Sequence, residues 1–126
     1  MALSNAQRAQ VLVHALPYIK EYRGKIVVVK YGGNAMVSEE LKNSVVRDIA
    51  LLNLIGVKVV LVHGGGKHIT ALLDKLQVPT HFVNGYRYTD EATLETAELA
   101  LSAQVNKAIV QDLARLEVSA VGISGK

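Results

Sequence analysis

Two short runs of β-branched and aliphatic residues, each ending in a glycine cluster, constrain the fold of this chain most. Lys25-Ile26-Val27-Val28-Val29-Lys30 leads into Tyr31-Gly32-Gly33-Asn34. Val57-Lys58-Val59-Val60-Leu61-Val62 leads into His63-Gly64-Gly65-Gly66. Near-continuous runs of this kind mark strands buried on both faces, as in parallel sheets. Parallel neighbours need a crossover between them, usually a helix. The segment between the runs supplies one. Ser38 is its cap, Glu39 and Glu40 stand in its first turn, Leu41, Val45, Ile49 and Leu52 form its apolar face, and Gly56 stops it.

The remaining segments alternate in the same way. Residues 5–22 read as a helix with Leu12, Leu16 and Ile19 on one face. Ser4 or Asn5 caps it, and Pro17 is expected to kink or interrupt it. This helix has no sheet partner in sequence, and two roles stand open for it: packing on its own domain, or contact with another subunit. A third helix is predicted over 67–76, and Pro79 breaks the chain after it. Residues 80–88 read as a short hairpin or an irregular loop around Asn84-Gly85. Thr89 caps a long helix running to about 116, with Asp90 and Glu91 in its first turn. Val118–Ile123 reads as a closing strand. The class is therefore α/β with a largely parallel sheet. The chain divides into two regions: an N-terminal helical arm over 1–24 and a lobe over 25–126. A strand opening into Gly122-Ile123-Ser124-Gly125-Lys126 ordinarily continues into a further element, so the chain reads as truncated.

Composition narrows the chemistry. The 126 residues are half hydrophobic but only 5% aromatic, so the core must be aliphatic. With no cysteine, a disulfide scaffold, a thiolate nucleophile and a Cys-ligated metal are excluded. That usage fits a reducing cytoplasm. The net charge of +3 is concentrated in residues 1–30, with Arg8, Lys20, Arg23, Lys25 and Lys30 against Glu21. No run of adjacent basic residues exists, and no aromatics interleave with the basic ones, so no nucleic-acid partner is expected. The N-terminus from Met1 lacks an apolar core of signal-peptide length, and no stretch approaches the roughly 20 apolar residues that span a bilayer.

The chemistry is expected at the carboxyl ends of the strands, where open α/β sheets bind ligands. Gly32-Gly33 and Gly64-Gly65-Gly66 both run from a strand end toward a helix start. Glycine lets the backbone approach a ligand closely, and helix N-terminal amides favour anions. Lys30, read as the last residue of a buried strand, needs an anion: a structural carboxylate or a ligand phosphate. Neither a P-loop nor a dinucleotide fingerprint is present. Leu61 stands where the first P-loop glycine belongs and His68 where its Ser/Thr belongs, while Ile69 fills the last glycine position of Gly-x-Gly-x-x-Gly. Arg87 is placed to hold a carboxylate or to pair with Asp90 or Glu91. His63 and His68 lack a third ligand of suitable spacing, so no metal site is expected. His14 and His81 read as surface or packing residues. Glu91, Glu95 and Glu98 read as a solvated face.

Three motifs together resemble the N-acetylglutamate kinases of the amino-acid kinase superfamily. Val29-Lys30-Tyr31-Gly32-Gly33-Asn34-Ala35-Met36 is similar to their phosphate-side loop. Leu61-Val62-His63-Gly64-Gly65-Gly66 resembles their substrate loop. Asn84-Gly85-Tyr86-Arg87-Tyr88-Thr89-Asp90 resembles the segment binding the substrate's α-carboxylate. The resemblance covers residues 10–126 and implies a three-layer αβα sandwich, of which this chain is the N-terminal, substrate-binding half. It implies ATP-dependent phosphorylation of the γ-carboxylate of N-acetyl-L-glutamate in arginine biosynthesis, with Mg2+ accompanying ATP. By the match, Lys30 stabilises the transferring phosphoryl group, and Gly32 and Gly33 lie against the ATP phosphates. Gly65 and Gly66 hold the substrate, and Arg87 clamps its α-carboxylate. The resemblance further implies a homo-oligomer, a hexamer in the full-length protein, joined through the N-terminal helix near an arginine effector site. It brings in a PII-type signal protein as a partner of some relatives, and a cytoplasmic or, in photosynthetic eukaryotes, plastid location. The relatives are about twice as long, and their second half carries the adenine site, so this chain alone is expected to turn over negligibly. Two alternatives remain: a related lobe for another acid such as aspartate or N-acetylaminoadipate, and a non-catalytic binding or assembly module.

Overall fold

Strands β1 (Ile26–Tyr31) and β2 (Lys58–His63) lie parallel, in register from Ile26 beside Lys58 to Tyr31 beside His63. The computed structural model describes residues 3–126; Met1 and Ala2, the start of the expected N-terminal arm, lie outside the described residues. Helix α1 (Asn5–Tyr22) precedes β1, and α2 (Glu39–Leu54) makes the crossover to β2. After β2 come α3 (Gly66–Lys75), β3 (Phe82–Val83), β4 (Tyr86–Arg87), α4 (Glu91–Glu98) and α5 (Asn106–Ala114).

Local chemistry accounts for most boundaries. Ser4 caps α1 in a reciprocal pair with Gln7, and the helix runs through Pro17 to Tyr22. Ser38 Oγ accepts from the Leu41 amide at 3.3 Å to start α2. Gly56 ends that crossover with φ +90°, a conformation only glycine adopts without strain. Asn84 and Gly85 both have positive φ, which suits a two-residue turn joining β3 and β4 into an antiparallel hairpin. This hairpin is a separate sheet. Asp90, rather than the expected Thr89, caps α4; its carboxylate accepts from the Thr93 amide at 2.9 Å. Hydrogen bonding from Thr93 holds the Asp90 carboxyl below its usual range.

The predicted long helix is continuous, but its middle is not α-helical. Residues Leu99–Val105 wind as a π-helix between α4 and α5. One extra residue in a helical turn rotates the downstream helix by about 100°. The apolar residues of α5 face α2 and the sheet.

Register also decides the faces of the sheet. Val27, Val29 and Tyr31 pair with Val59, Leu61 and His63 on the covered face. Val46 and Ile49 of α2, Ile109 and Leu113 of α5, and Val118 complete the core there. Lys42 of α2 reaches Asp112 of α5 at 3.1 Å, and the Tyr31 hydroxyl donates to the Ala35 carbonyl at 3.1 Å.

Three expectations need correction. The strands are not buried on both faces: Ile26, Val28, Val60 and Val62 are exposed, because no described element packs over that side. The α/β class with a parallel sheet stands; α2 and α5 pack on one face of it. Leu41 of the expected α2 face is exposed, and Val46 is buried in its place. Val118–Ile123 is not a strand. A strand needs a ladder partner, and a cavity of about 630 Å³ separates residues 118–125 from β2.

The core polar contacts carry a pH signature. The hydrogen bond that Lys42 donates to Asp112 raises the Lys42 pKa, and burial raises that of the Tyr31 hydroxyl. A raised pKa means that the folded chain holds its proton more tightly than the unfolded chain. Both contributions are present below about pH 10 and fade as pH rises through the folded values. The thermal midpoint is expected to fall above about pH 10, and Lys42→Met to shrink that fall. A midpoint flat across the alkaline range would contradict it.

Candidate functional site

The two glycine loops leave the sheet side by side, because the Gly64 amide donates to the Tyr31 carbonyl at 2.9 Å. The first loop turns through Gly33, at φ +62°, into a 3₁₀ turn over Gly33–Met36. Beyond the adjoining residues of the chain, no atom lies within 4 Å of where a Cβ would stand at Gly32 or Gly33. The backbone there is open to a ligand. The first turn of α2 begins only beyond this 3₁₀ turn and carries Ser38, Glu39 and Glu40.

The second loop is built differently. Gly65 is buried, and a Cβ at that position would come within 2.5 Å of Leu101 Cδ2 and 3.5 Å of Val105 Cγ2. With glycine at this position the loop lies directly on the π-helical segment; a Cβ would have to push the end of the Leu101 side chain aside. Gly65 is also the N-cap of α3, and it has no side chain to satisfy the first amides of that helix. A ten-residue helix thus starts at Gly66 with an uncapped, electropositive end.

Arg87 meets that helix end. The β3–β4 hairpin carries its guanidinium back to α3. Nη2 donates to Thr70 Oγ1 at 2.7 Å and to the Gly66 carbonyl at 3.3 Å, and Nη1 donates to Thr80 Oγ1 at 3.0 Å. The Phe82 ring lies 4.7 Å beneath it. All three acceptors are neutral. The alternative salt bridge to Asp90 or Glu91 is not formed, and among the described residues Arg87 pairs with no carboxylate. The cation is therefore held in place without being neutralised. A cavity of about 500 Å³ opens beside it, lined also by Gly66, Lys67, Thr70 and Asp74.

Lys30 stands differently from its expected place. It is not the last strand residue and is not buried: Tyr31 ends β1, and Lys30 projects from the open face of the sheet. In a parallel pair alternate residues face opposite sides, and Lys30 shares its side with Val28 and its register partner Val62. It makes no ion pair among the described residues. The structure thus joins Gly66 and Arg87 directly, with Gly65 beside Gly66 in the chain, and sets Lys30, Gly32 and Gly33 on the adjoining strand and loop.

The histidines have separate surroundings. His63 Nε2 lies 3.3 Å from Asn106 Nδ2. His68 Nδ1 is buried without a hydrogen-bond partner among the described residues. No group of three His, Cys, Asp or Glu lies together there. His81 stacks on Tyr88 with ring centroids 4.5 Å apart. Glu98 pairs with Lys126 at 2.8 Å. Sequence reasoning missed Thr70, Thr80, Phe82 and Asn106. Single Thr, Phe or Asn residues in these positions form no motif, and only the fold brings them to the loops.

Residues 25–126 match the family model described as the amino acid kinase family. The chain is 49% identical to an acetylglutamate kinase of Clostridium beijerinckii over 98% of its own length and 43% of that protein's. It is 51% identical to an acetylglutamate kinase of Campylobacter curvus over 98% of its length and 44% of that protein's. The chain thus spans less than half the length of these curated relatives. Among solved structures, it is similar to an N-acetylglutamate synthase of Neisseria gonorrhoeae complexed with coenzyme A and N-acetyl-glutamate. The TM-score there is 0.72 at 27% identity, covering 90% of this chain and 26% of that one. It is also similar to the smu.665 protein of Streptococcus mutans, with TM-score 0.61 at 31% identity, covering 76% of this chain and 38% of that one.

The steric reading of the second loop has a direct test. Gly65→Ala is expected to lower stability by about 1 kcal/mol, the low end for overpacking, because the end of the Leu101 side chain can shift. Gly64→Ala, with no atom within 4 Å of its Cβ position, is the matched control. Urea unfolding of the two variants measures the difference, and equal stabilities would contradict the close packing.

Proposed function

This chain belongs to the amino acid kinase family, and we propose that it forms the acid-binding half of an acetylglutamate kinase. The observation that carries this reading is the Arg87 guanidinium, fixed without a carboxylate partner against Gly66 at the uncapped start of α3. An immobilised, unneutralised cation beside open helix amides suits a small carboxylate ligand. Identity of about one half to curated acetylglutamate kinases supports the same substrate.

In this reading Arg87 holds the α-carboxylate of N-acetyl-L-glutamate, and the backbone at Gly65 and Gly66 seats the rest of the molecule. The γ-carboxylate is already ionised, so its attack needs no general base. One carboxylate oxygen forms a bond to the γ-phosphorus of ATP as the bond from that phosphorus to the bridging oxygen of ADP breaks. Positioning and charge neutralisation carry the catalysis. Lys30, exposed and without an ion pair among the described residues, stabilises the transferring phosphoryl group, and Gly32 and Gly33 give the ATP phosphates close access to the backbone. Mg2+ accompanies the nucleotide; no cluster of metal ligands lies among the described residues, so no step is assigned to it. The product is the γ-acyl phosphate, and the step belongs to arginine biosynthesis.

The adenine site falls to the part of the relatives' length that this chain does not span, and the chain alone is expected to turn over negligibly. A homo-oligomer belongs to the same proposal, with residues 1–24 as its arm. Its support is α1, which buries none of its described residues and exposes Val11, Leu12, Val13, Leu16 and Tyr18. An arginine effector, a PII-type partner and a cytoplasmic location follow from the resemblance alone. Among the described residues no helix is long and apolar enough to cross a membrane.

Competition calorimetry with N-acetyl-L-glutamate, N-acetylaminoadipate and aspartate tests the substrate. N-acetyl-L-glutamate is expected to bind preferentially, and Arg87→Ala to weaken it by about 10- to 100-fold, as befits hydrogen bonds to a charged group. Preference for another acid would reassign the substrate; equal binding by Arg87→Ala would remove Arg87 from the site.

A further inference from the structure

Asn106 opens α5 just after the π-helical segment, and it is only 8% exposed. A buried carboxamide must find partners. Lys107 Nζ, which can only donate, lies 3.3 Å from Oδ1. The Ile123 carbonyl, which can only accept, lies 3.2 Å from Nδ2. These two partners decide which end of the amide is which. The other Nδ2 hydrogen then points at His63 Nε2, 3.3 Å away. An N–H aimed at a ring nitrogen requires a lone pair there, so the ring proton sits on Nδ1. The Gly64 carbonyl oxygen lies 3.0 Å from that Nδ1 and accepts the proton's hydrogen bond.

We infer that Asn106 is a positioning residue for the glycine loop: it holds His63 in its Nδ1–H tautomer, and His63 in turn holds the Gly64 carbonyl. The ligand in this inference rests on the acid-binding reading above; the hydrogen-bond chain does not. A carbonyl engaged by the adjacent ring does not turn its negative end toward an incoming carboxylate, and the next amides, at Gly65 and Gly66, remain available. The same carboxamide ties in a third segment. Lys107 Nζ donates to the Gly122 carbonyl at 3.2 Å, and a Cβ at Gly122 would overlap Asn106 Oδ1. Glycine at 122 is what allows the carboxamide to lie between β2 and the terminal loop.

The test uses the full chain labelled with 15N-histidine and a long-range proton–nitrogen correlation near about pH 8, where an ordinary imidazole is neutral. His63 is expected to show a protonated Nδ1 and a bare Nε2. Asn106→Leu, which removes the donor, is expected to give a mixture of tautomers and to weaken N-acetyl-L-glutamate binding about fivefold. Asn106→Asp keeps the shape but can only accept, so it is expected to draw a proton onto Nε2; it carries the test if the leucine variant does not fold. A wild-type proton on Nε2, or an unchanged tautomer in Asn106→Asp, overturns the inference. So does acid binding that stays at the wild-type level while the tautomer moves. If wild type binds no acid yet His63 shows the expected pattern, the acid-binding reading fails and the His63 chain stands.

Discussion

The close approach of Gly65 to Leu101 and Val105 is the constraint on which the candidate site depends. It seats the loop after β2 on the π-helical middle of the long helix, with no side chain between. From that contact α3 sets off with its first amides uncapped, and the hairpin can lay Arg87 against Gly66. The extra winding of the π-helix also brings Asn106 to the beginning of α5, facing His63. Backbone packing and the proposed anion recognition thus share one interface, and a methyl group at position 65 would push on Leu101 there.

The electrostatics of the site depend on which charges are neutralised and which are not. Lys42 and Lys126 each have a carboxylate partner, Asp112 and Glu98. These pairs tie α2 to α5 and the terminal loop to α4. Arg87 and Lys30 have none among the described residues. Arg87 is held by two threonines, a carbonyl and an aromatic face; Lys30 stands on rigid β structure at the adjoining strand. Fixed positive charge without a resident counter-ion is what carboxyl-to-phosphoryl chemistry requires of a protein, since the nucleophile arrives already ionised.

Features governed by neighbours in sequence were legible beforehand. Ser38, Gly56 and Asn84-Gly85 act through the chain immediately around them, and each appears in its expected role. The two glycine loops and Arg87 were legible through spacing and resemblance. Features that depend on distant partners were not. The run Val118–Ile123 has strand composition, yet it lies across a cavity from β2 and forms no ladder. The valines of β1 and β2 promise two covered faces, but burial requires a second layer that the described residues do not place over Val28, Val60 and Val62. The exposure of Lys30 has the same origin in the open face. A helical sequence over 91–114 carries no mark of where it winds as π, because its packing on Gly65 is long-range. Asn106, Thr70 and Thr80 are unremarkable until the fold assembles them.

The central proposal is that the Gly65–Gly66 backbone and Arg87 form one acid-binding surface. Titrating N-acetyl-L-glutamate into 15N-labelled chain and recording the amide spectrum tests this most directly. A dispersed spectrum is expected, in which Gly65, Gly66, Thr70 and Arg87 shift together along one saturable curve. A dispersed spectrum in which those residues stay still, or in which shifts concentrate elsewhere on the chain, would contradict it.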